Sequence, residues 1–235
     1  MSNPYFQFKK FTIWHDKCAM KVGTDSVLLG AWAPFIGNTA LDVGCGTGIL
    51  SIMLAGRSEL DIHALDIDAD AVSQTLENAA ATPWKDRITA ETADFCKWKD
   101  EKVFDTILSN PPFYDSQTLP PEKARMKARN TQSLSYGDLI CQVARRLSPK
   151  GLFSMVLPAS EERSLRGLAV EYGLHPVKSL KVTTVEGKGP KRLLITFTPE
   201  STSLQEEQGC LCIHDASGAF TDEYKRLVGD YYLKV

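Results

Sequence analysis

One stretch of sequence decides the fold: Thr39-Ala40-Leu41-Asp42-Val43-Gly44-Cys45-Gly46-Thr47-Gly48, which runs into the apolar segment 49–55. Residues 39–43 predict a buried strand, and residues 49–55 predict a buried helix. Glycines between them let the backbone adopt positive φ and approach a ligand closely. Ligands of open α/β sheets bind at this edge, where a strand runs into the next helix. The stretch therefore predicts a ligand-binding turn at the edge of an α/β sheet.

Strand and helix patterns alternate after this turn. We expect strands at residues 61–66, 88–92, 104–109, 152–157, 177–185 and 192–198, and helices at 69–80, 134–147 and over about 12 residues capped by Ser160. This alternation predicts a mostly parallel sheet with helices on both faces. The last two strands are joined by a short link and should form an antiparallel pair. The tail then contains a strand-like segment, 210–214, and a helix-like segment, 222–232.

Composition bounds the possible functions. The chain has 235 residues, 43% of them hydrophobic, which suits one large domain. A formal net charge of −2 argues against a general nucleic-acid binder, so any basic face must be local. The sequence has no signal-peptide pattern and no membrane-spanning run, which predicts a cytoplasmic protein. Its six cysteines are scattered, so we expect reduced thiols, no disulfide and no metal site.

Acidic residues lie at or just beyond the carboxyl ends of three successive predicted strands. The turn has GxGxG spacing led by Asp42, whereas a pyrophosphate-binding turn has GxGxxG. An acid at this point repels a pyrophosphate but favours the ammonium group of an amino acid. Asp66 ends the second strand, just before Ile67, and a carboxylate there can hold both hydroxyls of a ribose. Asp94 follows the third strand, where its carboxylate can meet an adenine amine. The ring of the next residue, Phe95, can stack on the adenine.

A four-residue step, Asn110-Pro111-Pro112-Phe113, follows the strand at 104–109. Two prolines cannot continue a central strand or a helix, so the chain must leave the sheet along a fixed extended path. The Asn110 side-chain oxygen and the Pro111 carbonyl can each accept one N–H bond from a planar amine. Phe113 can stack on an extruded base. The step predicts a pocket in which positioning and local dipoles promote a reaction at a planar NH2 group.

Taken together, these motifs resemble the class I S-adenosylmethionine-dependent methyltransferases over about residues 39–198. The resemblance implies a Rossmann-like fold with a mostly parallel seven-stranded sheet whose last strand is antiparallel, and S-adenosyl-L-methionine (SAM) as cofactor. The cofactor-binding residues that it implies are Lys21, Thr24, Asp42, Gly44, Gly46, Gly48, Asp66, Ile67, Asp94, Phe95 and Asn110. The catalytic residues that it implies are Asn110, Pro111, Pro112 and Phe113. The planar amine can be adenine N6, guanine N2 or the amide nitrogen of glutamine.

The N-terminal segments 6–13 and 15–32 narrow the choice among these planar amines. With the turn at 189–193, they resemble the bacterial tRNA1(Val) adenine N6-methyltransferases, and Met20-Lys21-Val22-Gly23-Thr24-Asp25 is the most specific part. The resemblance implies methylation of N6 of an adenosine beside the anticodon. It also implies an N-terminal cap and SAM lid (1–38), a core (39–199) and a packed C-terminal extension (200–235), effectively one domain. The alternatives are an rRNA guanine N2 or protein glutamine N5 methyltransferase, or a binding module without turnover, against which the intact proline step argues.

Basic residues are placed where an RNA substrate would need them. The residues that we expect to contact RNA are Lys123, Arg125, Lys127 and Arg129 after the proline step, and Lys188, Lys191 and Arg192 near the last hairpin. No separate target-recognition domain is visible, and a loop base of a folded RNA costs less to flip than a base in a duplex. The expected partner is therefore tRNA, with no DNA, no membrane and no obligate protein partner.

Overall fold

The computed structural model describes residues 3–18, 20–112, 134–199 and 205–235. These residues form ten strands and six helices, joined in places by short 3₁₀ turns. In chain order the elements are β1 Tyr5–Gln7, β2 Thr12–Trp14, α1 Thr24–Trp32, β3 Thr39–Val43, α2 Ile49–Ala55, β4 Asp61–Asp66, α3 Ala69–Ala80, β5 Ile88–Thr92, β6 Phe104–Ser109, α4 Tyr136–Arg146, β7 Leu147–Pro158, α5 Glu162–Glu171, β8 His175–Val185, β9 Arg192–Thr198, β10 Glu207–His214 and α6 Asp222–Val228.

Strands β3 to β10 form one sheet in the order β10-β8-β9-β7-β6-β3-β4-β5. Strand β9 runs antiparallel to both of its neighbours, β7 and β8, whereas every other pairing among the described strands of this sheet is parallel. Successive strands are added on one side of β3 up to β5, and on its other side from β6 onward. This reversal makes the β3–β6 junction the switch point at which such sheets bind ligands. The predicted Rossmann-like architecture is confirmed.

The core lies on both faces of the sheet. One buried cluster contains residues of α1, α2 and α6, and a second contains residues of α4 and α5. Successive strand residues point to opposite faces, so Leu108 enters the first cluster while its neighbour Ile107 enters the second. Burial on both faces explains why the central strands read as continuous apolar runs in the sequence.

The sheet has one strand more than the predicted seven. Strand β10 pairs parallel with β8 at the edge of the sheet, from Glu207 opposite Lys178 to His214 opposite Val185. Its Leu211 and Ile213 side chains are buried in the first core cluster, which gives the strand a reason to join the sheet. The strand-like segment recognised in the tail is therefore part of the main sheet.

The predicted N-cap at Ser160 is wrong. Ser160 lies inside a 3₁₀ turn, Ala159–Glu161, and α5 begins at Glu162 without a side-chain cap. Pairing with β9 continues past the end of β7, because the Ala159 amide donates to the Lys191 carbonyl at 3.1 Å. The chain leaves the sheet late and must turn tightly into the helix. By contrast, Ser135 caps α4, its Oγ accepting from the Asp138 amide at 3.1 Å.

The N-terminal hairpin, β1 and β2, is fastened at two places. Phe8, just after β1, forms a backbone bridge with Tyr232, and the Lys9 amide donates to the Tyr231 carbonyl at 2.8 Å. On the other side, the fully buried Asn78 of α3 exchanges two hydrogen bonds with the backbone of Trp14, at 2.9 and 2.8 Å. The hairpin thus joins the C-terminal segment to the helix beside the glycine turn. None of the described helices is long and apolar enough to cross a membrane.

Candidate active site

The glycine turn lies at the switch point, between β3 and α2. Gly44, Gly46 and Gly48 have φ of 75°, 54° and 77°, which confirms the predicted left-handed backbone. A Cβ added at Gly44 or Gly46 would meet open space, whereas at Gly48 it would lie 2.9 Å from the Thr75 side chain. Gly48 therefore permits close packing on α3, and the other two glycines face space that a ligand can occupy.

Hydrogen bonds from neighbouring elements hold this turn in place. The Gly44 and Cys45 amides both donate to the Leu65 carbonyl of β4, at 2.8 and 2.9 Å. The Gly46 amide donates to Asp66 Oδ2 at 2.9 Å, and Thr75 Oγ1 donates to the Gly46 carbonyl at 3.0 Å. The turn is preorganised by β4 and α3, so a ligand need not order it.

Asp42 lies under the turn, and only one of its carboxylate oxygens has a hydrogen-bond partner among the described residues. Oδ2 accepts from the Ser51 amide at 3.1 Å and from Ser51 Oγ at 2.7 Å. Oδ1 is buried and accepts no hydrogen bond from the described part of the chain. Burial raises the pKa of Asp42 to about 6, although the two Ser51 hydrogen bonds oppose the shift. A buried oxygen with spare acceptor capacity fits the ammonium of an amino acid.

Asp66 ends β4, and Asp94 follows the neighbouring strand β5, where the sequence places them. Asp66 Oδ1 also accepts from the Asp68 amide at 3.0 Å, so both oxygens of this half-buried carboxylate already orient the local backbone. The Asp66 carbonyl accepts from the Ala93 amide at 2.9 Å, which ties the two acidic positions together. A hydrogen bond from Lys97 holds the pKa of Asp94 below its ordinary value. Asp94 is therefore a carboxylate at the pH of the cell.

The Phe95 ring is not placed for stacking on adenine, which corrects the prediction for this side chain. The ring is 5% exposed and packs in the second core cluster beside Trp98, with the Arg146 guanidinium 5.4 Å from the ring centre. The neighbouring apolar candidate is Ile67, whose side chain is 53% exposed directly after Asp66. Ile67 therefore offers the free apolar surface that Phe95 lacks.

Asn110 stands beside the glycine turn, because β6 pairs with β3 and Ser109 lies opposite Val43. Asn110 Nδ2 donates to Ser26 Oγ of α1 at 2.7 Å. Asn110 Oδ1 is buried and has no hydrogen-bond partner among the residues that the structure describes. The amide is thus held by its nitrogen while its oxygen remains able to accept. Pro111 is buried and Pro112 exposed.

Other predicted site residues lie near the start of α1 or outside the described residues. Lys21 and Thr24 are exposed near the start of α1. In the segment before them, burial and the nearby charges of Asp66 and Asp68 raise the pKa of the Cys18 thiol to about 11. Predicted positions that lie outside the described residues are Phe113, Lys123, Arg125, Lys127 and Arg129.

Among the predicted RNA-binding residues, Lys188 and Lys191 are exposed, whereas Arg192 is paired: its Nε donates to Asp25 Oδ2 at 2.7 Å. Sequence reasoning missed the roles of Asp25 and Ser26, because their partners lie 167 and 84 residues away along the chain. Within the described segments, no three His, Cys, Asp or Glu side chains lie close enough together to hold a metal ion.

Comparison with solved structures and a family model defines the class. The fold is similar to a predicted O-methyltransferase from Agrobacterium tumefaciens, with a TM-score of 0.65, 18% identity and coverage of 90% of this chain and 100% of that one. It is also similar to the glycopeptide N-methyltransferase MtfA complexed with SAM, with a TM-score of 0.55, 14% identity and coverage of 76% and 88%. The model of the methyltransferase small domain matches residues 20–164. Fold and glycine turn together are those of a class I methyltransferase.

Curated relatives define the family. A protein from Bacteroides thetaiotaomicron is 45% identical over 99% of both chains, and one from Phocaeicola vulgatus is 43% identical over 100% of both. A protein from Aeromonas hydrophila is 38% identical over 99% of both chains. All three are named tRNA1(Val) (adenine(37)-N6)-methyltransferase. This chain belongs to the tRNA1(Val) (adenine(37)-N6)-methyltransferase family.

Proposed function

We propose that this protein transfers a methyl group from SAM to N6 of the adenosine beside the anticodon, position 37, of tRNA1(Val). The full-length similarity to the family supports the substrate. The observation that carries the chemistry is the Asn110 amide, which is held by Ser26 and has a buried oxygen without a partner among the described residues, next to the glycine turn. An amide in this state can accept an N–H from a planar amine at the switch point.

Side chains around the turn suit the parts of SAM. Asp42 Oδ1 would accept from the ammonium group, and Asp66 would accept from the ribose hydroxyls. Asp94 would meet the adenine amine, with the exposed Ile67 against the ring. The N-terminal segment near Lys21 would cover the methionine end. SAM supplies an electrophilic methyl group on its sulfonium, and the protein's task is to hold that group opposite the acceptor nitrogen.

Two hydrogen-bond acceptors would hold the adenine N6 amine. Asn110 Oδ1 would accept one N–H and the Pro111 carbonyl the other, and both bonds favour a tetrahedral nitrogen whose lone pair points at the methyl group. The N–C bond forms as the S–C bond breaks, which leaves a neutral thioether and a methylated nitrogen that loses its extra proton to water. Stacking of the base on Phe113 remains a prediction.

The RNA would reach this site along a local basic surface. We infer that Lys188 and Lys191, with Arg192 and the predicted basic residues at 123–129, contact phosphates. A tRNA substrate implies action in the cytoplasm, and the proposal needs neither DNA nor an obligate protein partner. Because the net charge of the chain is −2, the attraction for RNA phosphates must come from this local surface.

Methyl transfer into tRNA tests the proposal. Purified protein with radiolabelled SAM should label tRNA1(Val) transcript, and nucleoside analysis should find the label in N6-methyladenosine. Asn110→Ala should lower kcat by about 100-fold or more, while the Kd for SAM stays within about threefold. Asn38→Ala, at an exposed asparagine before β3, is the matched control and should retain activity. Label in N2-methylguanosine or in protein, with none in tRNA adenosine, would refute the assignment.

A further inference from the structure

A cavity of about 680 Å³ lies beside helix α1, which also carries Ser26, the partner of Asn110. It is bounded by α1, the end of β8, the start of β9, the end of β10 and the C-terminal helix α6 with the residues that follow it. Because β9 is antiparallel, its start lies at the same edge of the sheet as the carboxyl ends of the parallel strands. The cavity therefore opens along the edge that carries Asn110.

The spacing of the strands sets the distance between the two sites. Strands β9 and β8 are two and three positions from β6 in the sheet, which corresponds to roughly 10–15 Å at the usual strand separation. Helix α1 forms a wall common to both: Asp25 lines the cavity and binds Arg192, and the next residue, Ser26, binds Asn110. A few nucleotides of single strand can cross this distance.

The lining combines aromatic rings with cationic side chains. The Phe220 ring stacks between His214 and Tyr224, with ring centres 4.7 and 5.1 Å apart. Lys191 and Lys234 are exposed at the cavity, and Arg192 is a third cation there. Asp25 is the one acidic side chain among the described residues that line it, and Arg192 neutralises it. Val235, which carries the α-carboxylate, also belongs to the lining, so the two lysines leave a small net positive charge beside a stacked aromatic cluster.

We propose that this cavity holds a second nucleotide of the RNA substrate, one that flanks the flipped adenosine in the same loop. Single-stranded nucleic acid is bound by aromatic faces that stack on bases and by cations that contact phosphates. A volume of this size lies within the range of small-ligand pockets and can accommodate one nucleotide. The inference rests on the proposed function, since it places a neighbour of the base that Asn110 holds.

Three variants of the full-length protein test the cavity. Lys191→Glu and Lys234→Glu should each raise the Kd for tRNA about tenfold and lower the slope of log Kd against log salt by about one or more. Thr184→Trp, at an exposed position of the lining, should fill the space and raise the KM for tRNA about tenfold. The KM for SAM should not change. Lys150→Glu makes the same charge reversal at an exposed position near the amino end of β7 and is the control.

A fluorescent base reports occupancy directly. With 2-aminopurine placed on either side of the target adenosine, one of the two tRNAs should change its emission on binding to wild-type protein, and Thr184→Trp should abolish that change. Wild-type tRNA affinity and an unchanged signal in all three cavity variants would overturn the inference. So would AMP binding that the variants weaken while tRNA binding stays intact. If wild-type protein does not methylate tRNA, the proposed function fails, whereas methylation unaffected by the cavity variants removes only this inference.

Discussion

Two buried oxygens distinguish the site at the level of single residues. Asp42 lies in β3 and Asn110 directly follows the neighbouring strand β6, and neither Oδ1 atom accepts a hydrogen bond from the described residues. An unpaired buried acceptor costs about 1–3 kcal/mol. The fold carries this cost at both positions beside the glycine turn, and a donor-bearing ligand at each would relieve it.

The raised pKa of Asp42 makes SAM binding dependent on pH. Its pKa is about 6, so the carboxylate that faces the proposed ammonium is lost as the pH falls through about 6. We expect the affinity for SAM to fall about tenfold per pH unit below that point, measured by calorimetric titration between pH 5 and 8. Asp42→Asn should bind SAM weakly and with a flatter pH profile. An unchanged profile in this variant would exclude Asp42 as the titrating group.

The same substitution has a consequence of opposite sign for stability. A folded-state pKa above the ordinary value means that Asp42 contributes most favourably below about pH 4, and that this contribution is lost as the pH rises through 6. Without SAM, Asp42→Asn should therefore gain stability relative to wild type as the pH rises from 4 to 8. Urea unfolding at several pH values measures the difference. The combination of higher stability and weaker SAM binding separates a ligand-binding role from a structural one.

Ser26 positions Asn110 rather than contacting the reacting atoms. Its Oγ accepts from Asn110 Nδ2 at 2.7 Å, which directs the amide oxygen away from Ser26. Ser26→Ala should lower kcat about tenfold, because the amide can then rotate, while the KM for SAM changes little. Ser26→Thr retains the hydroxyl and should restore most of the rate. Equal losses in both variants would point to packing of α1 instead of the hydrogen bond.

Residue-level prediction succeeded where a role depends on local order and failed where it depends on distant partners. Positive φ in the turn follows from glycines that directly succeed a strand, so the sequence contains the signal. The burial of Phe95 depends on Trp98 and on Arg146 of α4, which are brought together by folding. The pairing of Ser26 with Asn110 has no local signal for the same reason.

Among the elements, α3 has a second role besides supporting the sheet. Its buried Asn78 binds the Trp14 backbone and donates to the Thr47 carbonyl of the glycine turn at 2.9 Å. Asn78→Ala should lower the free energy of unfolding by about 2–4 kcal/mol, since three backbone groups lose a partner. Hydrogen exchange of residues 12–18 should accelerate. Glu77→Ala, which removes the exposed ion pair to Lys17 and a hydrogen bond from Ser73, is the neighbouring control and should leave that exchange nearly unchanged.

The central strands were predictable because they are buried on both faces and read as short apolar runs ending at turn residues. The ends of elements that depend on pairing between strands were not predictable. Strand β7 stays in the sheet up to Pro158 because β9 runs alongside it, which moves the start of α5 past Ser160. Strand β10 joins the edge because its Leu211 and Ile213 can be buried there. Neither effect has a local signature in the sequence.

At the scale of the whole molecule, the N-terminal hairpin and the C-terminal segment stabilise each other. Phe8 is 2% exposed, and its ring stacks on Tyr232 with centres 5.8 Å apart. Phe8→Ala should lower the free energy of unfolding by about 3–5 kcal/mol, while the exposed Phe35→Ala should change it by less than about 1 kcal/mol.

If the three segments behave effectively as one domain, both variants should unfold in a single transition seen alike by circular dichroism and tryptophan fluorescence. Two separated transitions in Phe8→Ala would show instead that the core at 39–199 folds independently of the segments on either side of it.

The bridge between Phe8 and Tyr232 also has a consequence for synthesis on the ribosome. Translation proceeds at about 5–20 residues per second, so the hairpin is made more than ten seconds before the partner that covers it. During that interval Phe6 and Phe8 lack Tyr232, their C-terminal cover. The nascent chain should therefore expose an aromatic cluster to chaperones until its last residues leave the exit tunnel, and truncated products of interrupted translation should be prone to aggregation.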